Sequence, residues 1–366
     1  MGRERGIRGW LEERGATWTQ AGGAKVVSDY GDWRAEYAAI ADDGLGIVER
    51  GERETLVISG DDTIPWLQGL VTGDLHDLVH EGSGHRNAWV NTTGRFVGEG
   101  RFLHLPQLLM VDLEAGALGG GLMGHLRHHI IMEDVRLDDR SEATWRVGLY
   151  GEEATRVVAA LAKWAHPLED RPPFSGSWAR WRGQDLVVQR MVWMEAPGFE
   201  ISCAAGAAQT LMEGLEEAAG KMPLVGEQAF EALRVEAGIP RFGRELHERV
   251  IPLEASYEDA ISYEKGCYLG QEIIARLDTL GTPAKLLRRL IFPADADVPE
   301  QGAKILPPDG EGRPIGTVES VAYSPAAGHP VALAYIKRNH NEIGAEVRVG
   351  ELIARLAPPH VMEYKG

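Results

Sequence analysis

From Pro283 onward the chain changes character, and that change constrains the fold more than any other feature. "KLLRRLIF", "AKILPP", "PIGTVESVAYSP", "PVALAYIKR" and "AEVRVGELIARLAPP" follow one another, short and apolar, separated by Gly, Pro and Asp. Segments of this length with such punctuation read as β-strands joined by turns. Roughly 80 residues of them make a small all-β barrel or sandwich, and its boundary falls near Gly281–Pro283.

The residues before that boundary mix helix and strand. "TLVIS" (55–59) is a strand, followed by a helix with Asp61 or Asp62 as its N-cap and Ile64, Leu67 and Leu70 at helical spacing. "NAWVNTTGRFVGEGRFLHL" (87–105) alternates around Thr93-Gly94 and reads as a hairpin. Strand "LLMVDLEAG" (108–116), a helix from about Gly119 to Ile131 and strand "EDVRLDD" complete an α+β unit with an antiparallel sheet. Strands at 144–150 and 184–202, with helices at about 152–164 and 207–219, form a second; "RPPFSGS" (171–177) is a loop. "EQAFEALRVEAG" is a helix capped by Gly238 and ended by Pro240. The expected organisation is thus residues 1–281 as two discontinuous α+β subdomains, about 54–140 and 141–225 plus flanks, then residues 282–366 as a β-domain.

With a net charge of -17 and no basic stripe, the surface would repel a nucleic-acid backbone. The N-terminus "MGRERGIRGWLEERG" lacks the apolar core of a secretory signal and reads as an amphipathic helix presenting Ile7, Trp10 and Leu11. No apolar run approaches the ~20 residues of a membrane span. Only 2 cysteines occur, 64 positions apart, without a CxxC pair. That spacing disfavours a structural zinc site or a disulfide framework and fits a reducing compartment, so a cytoplasmic protein is expected.

Several residues invite chemistry. Cys267 in "YEKGCYLGQE" precedes a helix start, where unpaired N–H groups and Lys265 would lower a thiol pKa; the alternative is an inert small residue. Cys203 ends a strand and reads as inert. His125 and His129 could share a helix face as metal ligands do, but "GHLRHH" has no glutamate or cysteine to help, and a polar helix face is favoured. Glu200, after a glycine turn in "EAPGFEIS", could grip a ligand edge with two adjacent donors; the alternative is a surface strand residue. Arg234 lies toward the apolar face of its helix and needs a partner, either an anionic ligand or an ion pair. "GALGGG" (116–121) is neither a P-loop nor a dinucleotide fingerprint.

Taken together, "LRVEAGIPRFGREL", "IPLEA" and "ISYEKGCYLGQEIIARL" closely resemble the signature region of the YgfZ family, folate-binding proteins related to the glycine cleavage T-protein. "LVISGDDTIPWLQGLVTGDL", "VNTTGRFVGEGRF", "GFEI" and "GRPIGTVESVAYSP" extend the resemblance over nearly the whole chain. It implies an α+β T-protein-like fold, two α+β domains and a C-terminal β-barrel in a ring, with tetrahydrofolate near a central channel. It implies that Glu200 anchors the pterin, that Arg234 and Asn91 border the folate, that Trp193 stacks on it, and that Cys267 with Lys265 is the signature thiol. Iron–sulfur proteins or their assembly factors would be the partners, and the role support of cluster assembly or repair.

Two departures from the T-protein pattern stand out. T-proteins carry an Asp-Asp pair after the hairpin glycine, one of them catalytic; here Gly98-Glu99 stands there, leaving Glu99 as the only carboxylate. Their "YTGEDGFE" run is reduced to "WMEAPGFE". Both favour the YgfZ branch over the alternative, a folate-dependent aminomethyltransferase or demethylase.

Overall fold

Strict alternation in "TWRVGLY" gives its strand two different faces. Trp145, Val147 and Leu149 are buried on one side, and Arg146 and Tyr150 on the other. That two-faced strand sits inside the first of two compact units of a computed structural model, which describes residues 3–168, 171–193 and 196–359. The units are discontinuous in sequence. One comprises residues 1–68, 75–87 and 99–230, the other 69–74, 88–98 and 231–366.

In chain order the first unit begins with α1 (Arg3–Glu12), hairpin β1 (Trp18–Ala21) and β2 (Ala24–Val27), α2 (Trp33–Ala41), β3 (Gly46–Glu49), β4 (Glu54–Ser59) and α3 (Thr63–Gln68). Then come β5 (Gly84–Val90), β6 (Phe96–Leu105), β7 (Leu108–Leu113), α4 (Met123–His128), β8 (Arg136–Asp139), β9 (Thr144–Tyr150) and α5 (Ala154–Leu161). β10 (Gly176–Trp181), β11 (Gln184–Trp193), β12 (Ala196–Ala204), α6 (Ala208–Ala219), β13 (Leu224–Val225) and the start of α7 (Glu227–Ala237) close it. One sheet has the order β10-β11-β12-β9-β3-β13, the other β5-β6-β7-β4-β8. The tip of the β5–β6 hairpin, residues 88–98, groups with the second unit.

Helices α5 and α6 cover the apolar face of the first sheet. Ala154, Val157, Val158 and Leu161 recur at helical spacing and pack with Leu211, Met212 and Leu215 against Trp145, Val147, Phe199 and Ile201. Ile7, Trp10 and Leu11 of α1 join the same core, as their spacing predicts. Each Val, Leu, Ile, Phe or Met side chain among them contributes about 1.5–3 kcal/mol on full burial.

The second unit adds α8 (Gln271–Leu280) and a closed barrel of β14 (Lys285–Ile291), β15 (Lys304–Leu306), β16 (Gly316–Ser324), β17 (His329–Lys337), β18 (Glu346–Val349) and β19 (Leu352–Ala357). β17 shows why "PVALAYIKR" is apolar throughout: Ala332, Ala334 and Ile336 fill the barrel. Val331, Leu333 and Tyr335 face outward onto Phe96, Val235, Leu246, Val250 and Tyr257. Both faces of this strand are buried, so it has no reason to alternate.

Some local expectations shift. The helix expected over Gly119–Ile131 is a π-turn at Leu118–Leu122 followed by only six residues of α-helix. Gly121 at φ 126° breaks it, and three successive glycines offer no side chain to pack. Asp62 is not a side-chain cap on α3; its carboxylate accepts from the Asp134 N–H, 2.8 Å away. The loop expected at 171–177 ends earlier, because β10 begins at Gly176. At Gly238, φ 78° ends α7 as predicted. No helix among the described residues is long and apolar enough to cross a membrane.

Candidate functional site

The polar face of β9 builds the site in the first unit. Glu200 on β12 lies opposite Gly148, and Ser202 opposite Arg146. Tyr150 points along the same face, and its ring lies across two glycines. A methyl group on Gly148 would come within 2.7 Å of the Tyr150 oxygen, and one on Gly198 within 2.8 Å of the ring. Only glycine leaves that room, and through it the Tyr150 hydroxyl donates to Glu200 Oε1 at 2.7 Å.

The second sheet brings the opposite charges. Arg101 on β6 and Thr55 on β4 flank Asp112 on β7 as its cross-strand partners. Arg101 Nη1 donates to Glu200 Oε1 at 3.0 Å and to Asp112 at 3.2 Å. Arg53 Nε and Nη2 reach Asp112 at 2.8 and 2.7 Å, and Arg53 also pairs with Glu114. Arg146 pairs with Asp112 and donates from Nε to Ser202 at 3.0 Å. Arg50 lies 3.1 Å from Glu52. Glu99, buried on β6, adds its charge to the field on Arg53. The two sheets of this unit therefore meet through a layer of ion pairs, where a lone charge would cost several kcal/mol.

That layer sets the state of Glu200, which is 3% exposed. Burial opposes its ionisation, but Arg101, Arg53, Arg50 and Arg146 outweigh burial and hold the carboxyl well below the usual range. Tyr150 is pushed the other way, by burial and then by Glu200, and stays a hydroxyl. Burial, then the neighbouring guanidiniums, depress Arg146, with Glu200 opposing. Glu200 Oε2 accepts no hydrogen bond; Arg146 at 3.7 Å and Arg53 at 4.0 Å are within ion-pair range only. This buried oxygen keeps spare acceptor capacity, which sets it apart from the other carboxylate oxygen.

The other residues singled out lie elsewhere. Arg234, expected beside the ligand, is instead a structural hub of the second unit. Its five N–H groups go to Glu231 (2.8 and 2.6 Å), the Ile239 carbonyl (2.6 Å), Glu245 (3.0 Å) and Ser320 (2.8 Å). No donor is left for a ligand. Asn91 shapes the hairpin turn: its Oδ1 accepts from the Thr93 N–H (2.9 Å), the Thr93 hydroxyl (2.7 Å) and the Arg95 N–H (3.2 Å). Trp193 ends β11, and its side chain lies outside the described residues.

Cys267 is exposed, four residues before α8. Lys265 does not attend it as expected. The lysine is buried, and its ammonium donates to the Val71 and Gly73 carbonyls at 2.8 Å each, 4.9 Å from the Tyr268 ring centre. It fastens the cysteine loop to residues 69–74, and burial, opposed by Asp74, lowers its pKa to about 8. Cys203 is buried, and burial pushes its thiol up to about 12. The His125 and His129 rings are 4.7 Å apart, with His129 Nδ1 on the His125 carbonyl. Among the described residues no three His, Cys, Asp or Glu side chains are arranged to hold a metal ion.

Arg53, Arg101, Asp112 and Arg146 were not among the sequence candidates. A signal existed: each is a charge in or beside an apolar strand, as in "LLMVDLEAG", and a buried charge requires a partner.

Paired α+β sheets followed by a closed six-stranded barrel define a T-protein-like fold. The chain superposes on the glycine cleavage system aminomethyltransferase T from Bartonella henselae with TM-score 0.83 at 20% identity, over 97% of this chain and 96% of that one. Residues 7–265 match the GCVT N-terminal domain and residues 287–361 the glycine cleavage T-protein C-terminal barrel domain. The chain belongs to the glycine cleavage T-protein family. An aminomethyltransferase of Halalkalibacterium halodurans is 26% identical over 91% of this chain and 93% of its own length. Another, from Symbiobacterium thermophilum, is 32% identical over 60% and 58%. A putative chloroplastic transferase of Arabidopsis thaliana is 27% identical over 86% and 70%. The expected YgfZ membership and iron–sulfur partners find no support among these relatives, whose names favour the aminomethyltransferase alternative.

Proposed function

We propose that this chain binds tetrahydrofolate and transfers one-carbon units as an aminomethyltransferase. The observation that carries this reading is Glu200, buried and ionised, with Oε1 held by Tyr150 and Arg101 and Oε2 without a hydrogen-bond donor. The names of the aminomethyltransferase relatives support it. Tetrahydrofolate supplies the nitrogen nucleophile that takes up the one-carbon unit.

The chain's own residues bind and orient. The guanidinium layer keeps Glu200 a pure acceptor, so its open oxygen Oε2 selects a group that presents a hydrogen-bond donor. Tyr150 fixes the rotation of that carboxylate. Glu99 takes the place of the T-protein aspartate, one methylene longer, and is the carboxylate positioned along the chain to exchange a proton with the amine.

Reduced folate should quench the fluorescence of the 10 tryptophans and raise the melting temperature. Methylenetetrahydrofolate should then accumulate with an aminomethylated donor. Glu200→Gln should weaken folate binding about tenfold or more, while Glu99→Gln should leave binding and abolish turnover. No quench and no thermal shift would remove the reading.

A second reading is kept by one observation: the thiol of Cys267 is free and exposed within the signature run. In it, the chain binds folate without turnover and presents that thiol to a partner in iron–sulfur assembly. One cysteine cannot hold a cluster, which generally needs about four thiolates, so the partner would supply the rest. Full restoration of cluster-enzyme activity by Cys267→Ala in a strain lacking this protein would eliminate it.

A further inference from the structure

On a chain with net charge -17, one groove of the second unit runs against the total. It is a cavity of about 520 Å³ on the barrel, lined by His247, Arg249, Lys285, Lys304 and Lys337, with Glu319 the single acid in its wall. Four permanent cations against one carboxylate leave a surplus of positive charge. The cations come from four places in the chain: the loop before the barrel, the start of β14, β15 and the end of β17.

Their placement is locally unfavourable. Lys285 and Lys337 are directly opposed cross-strand partners, and like charges in that relation destabilise a sheet. None of the three lysines lies within ion-pair range of a carboxylate among the described residues. Their ammonium groups rest on neutral oxygens instead: Lys337 on the Pro314 carbonyl at 2.8 Å, Lys285 on the Arg249 carbonyl at 3.4 Å, Lys304 on the Thr317 hydroxyl at 3.4 Å. Each keeps donors to spare. Arg249 has an acid 3.8 Å away in Glu248, but both are exposed, and such pairs are worth little. Crowding is felt in the titration as well. Burial lowers His247, reinforced by Lys285 and Arg249 and opposed by Glu248 and Glu245, and burial lowers Lys285, with Glu254 and Glu319 opposing and Arg95 and Arg249 adding to it. Tyr335 floors the site, with the Lys285 ammonium 4.4 Å from its ring centre.

We propose that this groove binds a small polyanion carrying two or three carboxylate or phosphate groups, one of them held between Lys285 and Lys337. The volume is that of a small-molecule site, and a net charge of -17 disfavours a nucleic-acid backbone.

Calorimetric titration of the full chain at low salt, with tricarballylate and inorganic pyrophosphate in separate arms, tests this. One saturable site is expected for at least one probe, and which probe binds identifies the anion. Raising the salt toward physiological strength should weaken binding about tenfold. The exposed double variant Lys304→Glu/Lys337→Glu should lose about tenfold or more with its melting temperature retained. Should that variant unfold, Lys304→Gln alone should still weaken binding severalfold. No saturable heat with either probe, or unchanged affinity in the folded variants, overturns the proposal.

Discussion

At the scale of single residues, the two cysteines show how environment decides chemistry. Cys203, buried and with its thiol pushed up to about 12, should resist an aromatic disulfide reagent at pH 8, while exposed Cys267 reacts. One thiol per chain is therefore expected to titrate in the native protein and two after denaturation; two in the native state would contradict the burial of Cys203. Glu49 gives a pH signature. Its Oε1 accepts from the Gly51 N–H and the Trp145 indole at 2.7 and 2.8 Å, yet burial, with Glu52 beside it, pushes the carboxyl up to about 7. The folded chain thus holds a proton that the unfolded chain releases near pH 4.3, so this residue erodes stability as pH rises from about 4 to 7. Glu49→Gln keeps both accepted bonds. It should be more stable than the parent by about 1–3 kcal/mol at pH 8 and equal to it at pH 4, by urea unfolding. The inertness of Cys203 was legible in its apolar strand end. The partners of Arg234 were half legible: Glu231 lies three residues back on the same helix, but Ser320 lies 86 positions away on a strand whose register no local pattern reveals.

At the scale of elements, alternation and capping carried most of the information. The hairpin, β9, α7 and the barrel strands follow from them. What did not follow was the stretch 18–49, where β1, β2 and β3 are only four residues each, too short for a period to establish itself. The ion-pair layer was hidden for a related reason. Arg101, Asp112, Arg146 and Glu200 sit on four strands, and only the pairing registers bring them together. Gly148 is the element-scale test of that arrangement. Gly148→Ala forces the Tyr150 ring off β9 and should cost about 1–3 kcal/mol. It should also weaken reduced-folate binding, read by tryptophan quenching; a variant that binds and melts like the parent would show that the ring is not held there.

At the scale of the whole molecule, the chain passes between its two units five times. The expected organisation set discontinuous α+β subdomains within 1–281 beside a β-domain of 282–366; by compactness, residues 69–74, 88–98 and 231–281 keep company with the barrel. Local patterns place residues 88–98 correctly on a hairpin but say nothing of which core they enter. The outward face of the barrel, with Leu287, Val331, Leu333 and Tyr335, is a wall of that core. A fragment ending at residue 281 loses the wall. It should bind a hydrophobic dye and melt broadly in calorimetry, where the full chain gives one sharp transition; a sharply melting fragment would contradict this.

The same discontinuity has a consequence during synthesis. The hairpin tip emerges from the ribosome early, and its partners in β14 and β17 are made much later. At ~5–20 residues per second, Phe96 waits about 10–40 s for Leu287. Through that interval the apolar hairpin tip lacks its barrel partners, so slower translation past residue 98 should lengthen its exposure and lower the yield of folded protein.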